Sequence, residues 1–394
     1  MILEVTLQNE PFLWFNMKRF FYFFTLAMLC CGCGTPPATN SGDTTALPDS
    51  TMTVTHAKGF RVDYFDGYKR VILNNPWHEG EILATYYLVK DSTTQTPDAA
   101  LTIQIPLRSI AVTSCTHFEF LRLIDALNTI TGVCNPELIY NDTLRQACEN
   151  GQIVSLGNAF NTNTERLLHL NPDALMLAHY NQQDENGKRL QSAGIPLIYN
   201  NEWTEPSLLA RAEWIKLVAT FYDKEQVACN LFSNTEQRYN EIKSIAKKAQ
   251  YHPTVLAGGN FKGTWYVPGG QSYMGQLFAD AGADYFYKND STTGSLPLNF
   301  ETVLHHFVKA DVWLNAPVAS LQELYNMDKR HHLFKSAQQQ RVYGFFARTK
   351  AGGANDFWES AVAHPDIVLK DVVWALHPEL LSDDYQPKYL IKLK

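Results

Sequence analysis

No stretch of this chain comes near the roughly 20 consecutive apolar residues that a membrane-spanning helix needs, and basic residues do not exceed acidic ones. Lys and Arg number 33 against 40 Asp and Glu, a formal net charge of -7. The first lack argues against a transmembrane mature protein; the second leaves nucleic acid without an electrostatic foothold. The signatures of common catalysts are missing as well: there is no G-x-S-x-G elbow, no H-E-x-x-H, and no G-x-x-x-x-G-K followed by Ser or Thr. Two glycine-rich stretches, AGGNFKG and KAGGAND, lack phosphate-loop spacing. A binder is therefore sought before an enzyme.

Cysteine is sparse, seven in 394 residues, and unevenly spread: Cys30, Cys31 and Cys33 fall within the stretch LCCGCGTPP. Ahead of them, Met17-Lys18-Arg19 leads into a nearly all-apolar run from Phe20 to Leu29, the layout of a secretory signal. Gly32-Cys33 stands where cleavage is expected and resembles the lipobox of bacterial lipoproteins, which makes Cys33 the expected lipidation site, with Cys31 as the alternative. Residues 1–16 carry Glu4 and Glu10 and do not read as a signal start, so they are taken as a start extension. Residues 17–32 are then a lipoprotein signal peptide, and 33–55, rich in Pro, Ser, Thr, Gly and Asn, a flexible tether. This predicts an exported, membrane-anchored lipoprotein facing the periplasm. Cys115, Cys134, Cys148 and Cys229 remain; Cys134 and Cys148 could pair in an oxidising compartment or stay free thiols, and sequence alone does not choose.

The processed chain exceeds what one hydrophobic core usually organises, so two lobes are expected. Residues 56–105 hold short runs of Val, Ile, Tyr and Phe broken by Asp-Gly and Asn-Asn turns, and predict an antiparallel β extension. From 106 to 204 the rhythm becomes that of an α/β lobe, with strands near 109–113, 152–156, 174–178 and 196–199, and helices near 117–128, 163–171 and 185–193. A helical connector at 205–250, interrupted near Asp223, leads to a second α/β lobe at 251–394, with strands near 254–257, 285–287, 312–315 and 342–344. The segments NTERLLHLNPDALMLA and NFETVLHHFVKADVWLNA echo each other with two extra residues between Glu and Asp in the second. The fold class is thus α/β: two Rossmann-like lobes whose strand ends share a crevice, linked through the helical connector.

The order RSIAVTSCTHFEFLRLIDAL, NTERLLHLNPDALMLA, a helical connector, FETVLHHFVKADVWLNA and GGANDFWESAVAHPDIVLKDVVWALHPELL resembles the ABC-importer substrate-binding proteins for iron complexes, haem and cobalamin, the class III periplasmic binding proteins, over about residues 107 to 382. The resemblance implies two lobes joined by a long rigid helix, in a monomeric, non-enzymatic carrier that needs no cofactor and takes a ferric chelate, haem or cobalamin. It also implies a partner, a permease dimer with a cytoplasmic ATPase, docked by one surface glutamate per lobe. By motif position these are Glu165 and Glu301, although an acidic residue in a first helical turn is also favoured by the helix dipole alone.

Strand ends supply the candidate ligand residues: Cys115, Thr116 and His117 after the first strand, His179 and Tyr180 after the ALMLA strand, and Trp203 after the next. On the second lobe they are Phe261, Trp265, Tyr266, Phe346 and Arg348. Aromatic faces with a few polar groups suit a large flat or chelated ligand, and a guanidinium suits its carboxylates. Among the twelve histidines, the pairs His305-His306 and His331-His332 point about 100 degrees apart on a helix and make no two-ligand face. His117 and His179 could ligate haem iron or a bare zinc or manganese ion, but no third ligand is evident. A bare-metal carrier, a chelatase-like enzyme and an anchored adhesion module therefore stand as alternatives.

Overall fold

Alternation of buried and exposed residues builds a five-stranded sheet first. In a computed structural model, which describes residues 47–98, 102–180, 189, 190, 192 and 194–394, β1 (Ser50–Thr51), β2 (Phe60–Phe65), β3 (Tyr68–Asn74), β4 (Ile82–Val89) and β5 (Thr102–Gln104) pair in that order. The Asp66-Gly67 pair closes β2 onto β3 in a two-residue turn, with Gly67 at φ 83, the backbone such a turn needs. All pairs are antiparallel except β4 with β5. The expected signal peptide, Cys33 and most of the tether lie outside the described residues.

This accessory sheet is clasped by the connector. Glu205 accepts hydrogen bonds from the backbone of Lys58 (3.0 Å) and Gly59 (2.8 Å), and Glu213 from Thr55, His56 and Ala57 (2.7 to 2.9 Å). Lys216, 2.7 Å from Glu213, balances its buried charge. At Gly59 a Cβ would stand 2.4 Å from the Trp214 ring, so only glycine allows the sheet this close.

The first lobe is a parallel sheet ordered β12 (Leu197–Tyr199), β11 (Ala174–Leu177), β6 (Ile110–Val112), β7 (Ile130–Val133), β8 (Val154–Ser155). Its three central strands read as short apolar runs because both faces are covered. The chain winds outward from β6 on one side and then returns to β11 on the other, which opens a switch point at their carboxyl ends. A small hairpin of β9 (Gly157–Asn158) and β10 (Asn161–Thr162) precedes the helix Thr164–Leu170. The expected helix at 117–128 is shorter, Phe118–Leu123, because Asp125 takes a left-handed φ of 54. The expected helix at 185–193 falls largely outside the described residues.

The connector is three helices rather than one span: Leu208–Glu213, Ile215–Thr220 and Glu225–Ala246, the last two separated at Asp223 with φ 55. The 22-residue member is about 33 Å long at 1.5 Å per residue. Among the described residues no helix is long and apolar enough to cross a membrane.

The second lobe pairs β13 (Thr254–Ala257) in parallel with β16 (Asp284–Tyr285) and β18 (Val312–Leu314). Beside it lies an antiparallel sheet of β14 (Gly259–Phe261), β15 (Thr264–Pro268) and β17 (Ser295–Leu298) that the apolar pattern did not announce. The carboxyl-terminal β20 (Ile391–Lys392) returns to pair with β19 (Tyr343–Gly344).

Candidate functional site

Four elements bring a chain of rings together at the carboxyl ends of β11 and β12. Phe160 lies 5.6 Å from Tyr180, Tyr180 5.2 Å from Trp203, Trp203 6.4 Å from Trp77, Trp77 5.4 Å from His179, and His179 5.1 Å from Tyr199, between centroids. The order follows from topology, because β11 ends in Ala178-His179-Tyr180 and β12 in Asn200-Asn201-Glu202-Trp203 on neighbouring strands. Asn201 fixes the first of these ends by accepting the His179 backbone N–H at 2.8 Å. Trp203 keeps 37% of its surface exposed and Phe160 55%. Trp77, on the β3–β4 loop, and Phe160, on the β9–β10 turn, had no strand-end signal to mark them.

Beneath the rings the polar groups are buried. Glu202 pairs with Arg211 at 2.7 Å. His117 is wholly buried, and neither ring nitrogen has a hydrogen-bond partner. Burial holds its imidazole down to about 4, against the pull of Glu202, so it is neutral near pH 7. His117 therefore sits under the site rather than lining it, because the turn Cys115–His117 directs it inward beside Asn200. The Oδ1 of Asn200 and the Nδ2 of Asn201 are also buried without partners. Such groups hold ordered water or receive a ligand's polar atoms. Cys115 and Thr116 are half-buried at the same strand end, and burial pushes the Cys115 thiol up to about 12. Cys115, Cys134, Cys148 and Cys229 are all free thiols. Among the described residues no three His, Cys, Asp or Glu side chains converge to hold a metal ion.

On the second lobe, Phe261 and Tyr266 belong to the β14–β15 hairpin, whose Lys262-Gly263 turn takes φ of 50 and 92. Tyr266 is 43% exposed, but its neighbour Trp265 is fully buried. Trp265 donates its indole N–H to the Ala257 carbonyl at 3.0 Å and packs on Trp313, His331, Phe334 and Phe300. The expectation that Trp265 contacts ligand is corrected: successive strand residues face opposite sides, and Tyr266 holds the outward one. Phe346 is half-buried against Gly344, where a Cβ would meet the ring at 2.8 Å.

Arg348 is engaged at a seam with the first lobe. Its Nε lies 2.6 Å from Asp356, and its guanidinium sits 5.2 Å over the Tyr140 ring. Lys350 stands over the same ring at 4.5 Å, donates to the Tyr140 carbonyl at 2.6 Å and pairs with Asp142. Glu359 accepts the backbone N–H groups of Tyr140 (2.6 Å) and Asn141 (2.9 Å). Burial, reinforced by the negative charges of Asp356 and Glu119, raises the Glu359 carboxyl to about 7. Beside it, Glu119 is held by Arg122 and by His364 at 2.6 Å, and Trp358, 49% exposed, offers its carbonyl to the Cys115 thiol at 3.7 Å.

Glu165 and Glu301 occupy equivalent places. Each is the second residue of a helix, Thr164–Leu170 and Phe300–Phe307, capped by Asn163 and Asn299 through hydrogen bonds of 2.9 and 2.8 Å. Both are exposed, and Arg330 approaches Glu301 to 3.7 Å while pairing more closely with Asp328 at 2.7 Å.

Residues 110–345 match the family described as periplasmic binding protein. An uncharacterized lipoprotein of Methanocaldococcus jannaschii is 25% identical over 366 residues, covering 85% of each chain, and a second from the same organism is 23% identical over 306 residues, covering 74% of this chain and 75% of its own. Among solved structures, the periplasmic haem-binding protein RhuT of a Roseiflexus species aligns at TM-score 0.53 and 18% identity, over 70% of this chain and 100% of that one. The periplasmic vitamin B12 binding protein BtuF of Vibrio cholerae aligns at TM-score 0.51 and 14% identity, over 70% and 99%. At these identities the likeness is one of fold.

Proposed function

Because the chain belongs to the periplasmic binding protein family, we propose that it is the lipid-anchored solute-binding protein of an ABC importer. It captures a metal complex, a ferric chelate, haem or cobalamin, between its lobes and hands it to a permease dimer driven by a cytoplasmic ATPase. The observation that carries this reading is the run of rings from Phe160 through Tyr180, Trp203 and Trp77 to His179 at the strand ends of the first lobe. Rings in that number suit a ligand with broad apolar surface: each 100 Å² of it buried contributes about 2.5 kcal/mol. Tyr266, Phe261 and Phe346 are offered by the second lobe, and Cys115, Thr116 and His179 supply polar atoms at the floor. His117 acts from below, as a neutral group that supports the strand end.

Delivery rests on Glu165 and Glu301, which meet basic sockets on the two permease subunits. Export and anchoring through Cys33 are supported by the two relatives named as lipoproteins, with a tether that ends before β1, since Ser50–Thr51 pair in the sheet and Thr55 is held by Glu213. No bond is made or broken in this account, so the absorbance of a captured ligand does not evolve into that of a product. Titration of the purified exported chain with hemin, cyanocobalamin and a ferric tris-catecholate, followed by tryptophan quenching, tests the proposal. One-to-one binding of at least one is expected; binding of none, with tight uptake of bare zinc or manganese, would overturn it.

A further inference from the structure

The accessory sheet lies ahead of the family match, which begins at residue 110, yet it reaches the rings. We infer that this sheet is a working part of the ligand site, and that its β3–β4 loop holds Trp77 as a specificity-determining residue for a conjugated ligand surface. The inference rests on the proposed binding role and deepens it.

Trp77 is the link between Trp203 and His179, at 6.4 and 5.4 Å. Trp77 and Tyr180 are half-buried yet belong to neither buried hydrophobic cluster of the fold. A large ring kept out of the core and partly in water contributes less to folding than a buried one, and its open surface is available to a partner.

The loop is also built to hold the ring still. Asn75 Oδ1 accepts the Trp77 backbone N–H at 3.0 Å, Asn75 donates its own to the Glu81 carbonyl at 2.9 Å, and Glu81 closes onto His78 at 3.1 Å. Asn74 ties the loop's base to Gly59 and Lys58, whose N–H groups end on Glu205. On the far side, the Tyr86 hydroxyl of β4 accepts the Tyr199 backbone N–H at 3.2 Å, pinning the sheet to the edge strand β12. Trp77 is therefore fixed relative to the strand ends that carry His179 and Trp203, and binding costs it little further ordering.

Ring planes decide the ligand class. Tyr180 and Trp203 are tilted by 33°, Trp203 and Trp77 by 50°, and Trp77 and His179 by 68°. The set forms an angled wall rather than a flat stack, and rings placed this way offer both faces and edges to a conjugated plane. A porphyrin or a catecholate chelate gains from Trp77; an aliphatic trihydroxamate chelate does not.

Binding of hemin, ferric tris-catecholate and a ferric trihydroxamate is measured by fluorescence and calorimetry for the wild-type chain, Trp77→Ala, Trp77→Phe and the same-loop control Glu79→Ala. Trp77→Ala is expected to weaken the conjugated ligand by about tenfold. Trp77→Phe should restore most of the loss, and Glu79→Ala should bind as wild type. Melting temperatures within a few degrees of wild type, with rescue by Phe, separate ligand contact from a loosened sheet. A wild-type chain that binds neither these three nor cyanocobalamin sinks the binding role itself, and one that binds cyanocobalamin alone leaves that role standing and sinks this inference. A wild-type chain that binds, with Trp77→Ala of equal affinity or with equal losses for all three chelates, sinks this inference alone.

Discussion

The seam at Glu359 makes a quantitative prediction. Its carboxyl is buried, accepts two backbone N–H groups, and stands near Asp356 and Glu119. The surrounding cations are committed elsewhere: Arg348 to Asp356, Arg122 to Glu119, and Lys350 to Asp142. Desolvation and repulsion outweigh the two hydrogen bonds, and the group titrates at about 7 rather than 4.5. The folded chain thus keeps a proton that the unfolded chain releases, so this group's contribution is full below pH 4.5 and is lost as pH rises through 7. That displacement corresponds to about 3 kcal/mol. Glu359→Gln removes the titration but can accept only one of the two N–H groups, at a cost of about 1 kcal/mol. Urea unfolding at about pH 5, where about 0.8 kcal/mol of that contribution is already lost, should therefore find the two chains of nearly equal stability, and at about pH 8 the variant more stable by about 2 kcal/mol. Titrating groups that do not interact with Glu359 cancel in that difference between chains. A difference that stays flat over this range would refute the reasoning.

Burial acts with opposite sign on His117, held down to about 4: its neutral form favours folding above pH 6.5 and the contribution drains away as pH falls, so His117→Leu should lower the midpoint of acid unfolding followed by circular dichroism. Trp265→Ala should cost about 3 to 5 kcal/mol of stability in denaturant unfolding, because a wholly buried indole is removed, whereas Trp203→Ala should weaken ligand binding with little loss of stability. Replacing Glu165 and Glu301 together with Ala should abolish uptake by whole cells and leave ligand affinity in solution unchanged; an equal loss of affinity would count against docking.

Much of the fold was legible because short parallel strands buried on both faces must be continuous apolar runs, as at Ile110–Val112, Ala174–Leu177 and Val312–Leu314. The paired helices around Glu165 and Glu301 were legible through their asparagine caps and shared order. The site was harder to read. Trp265 and Tyr266 are adjacent, and only the register of β15 decides which one faces inward. Trp77 sits in an Asn-Pro-Trp turn that looks like any surface loop; what raises it is the docking of the accessory sheet through Glu205 and Tyr86, contacts more than 100 residues apart in sequence. The seam is hidden for the same reason, since Tyr140 and Glu359 meet across 219 positions. The second lobe's antiparallel sheet starts from Gly258-Gly259, which reads as a loop until Gly258 is seen at φ 72, with a Cβ there only 2.1 Å from the Tyr266 carbonyl oxygen.

The central claim, capture of a metal complex, is tested most directly by native mass spectrometry of the exported chain taken from its host, with an absorbance spectrum of the same sample. The account predicts one noncovalently held complex per chain, whose mass and spectrum identify a haem, a corrinoid or a ferric chelate. A chain that emerges only empty or with a bare metal ion, from cells supplied with all three, would contradict it.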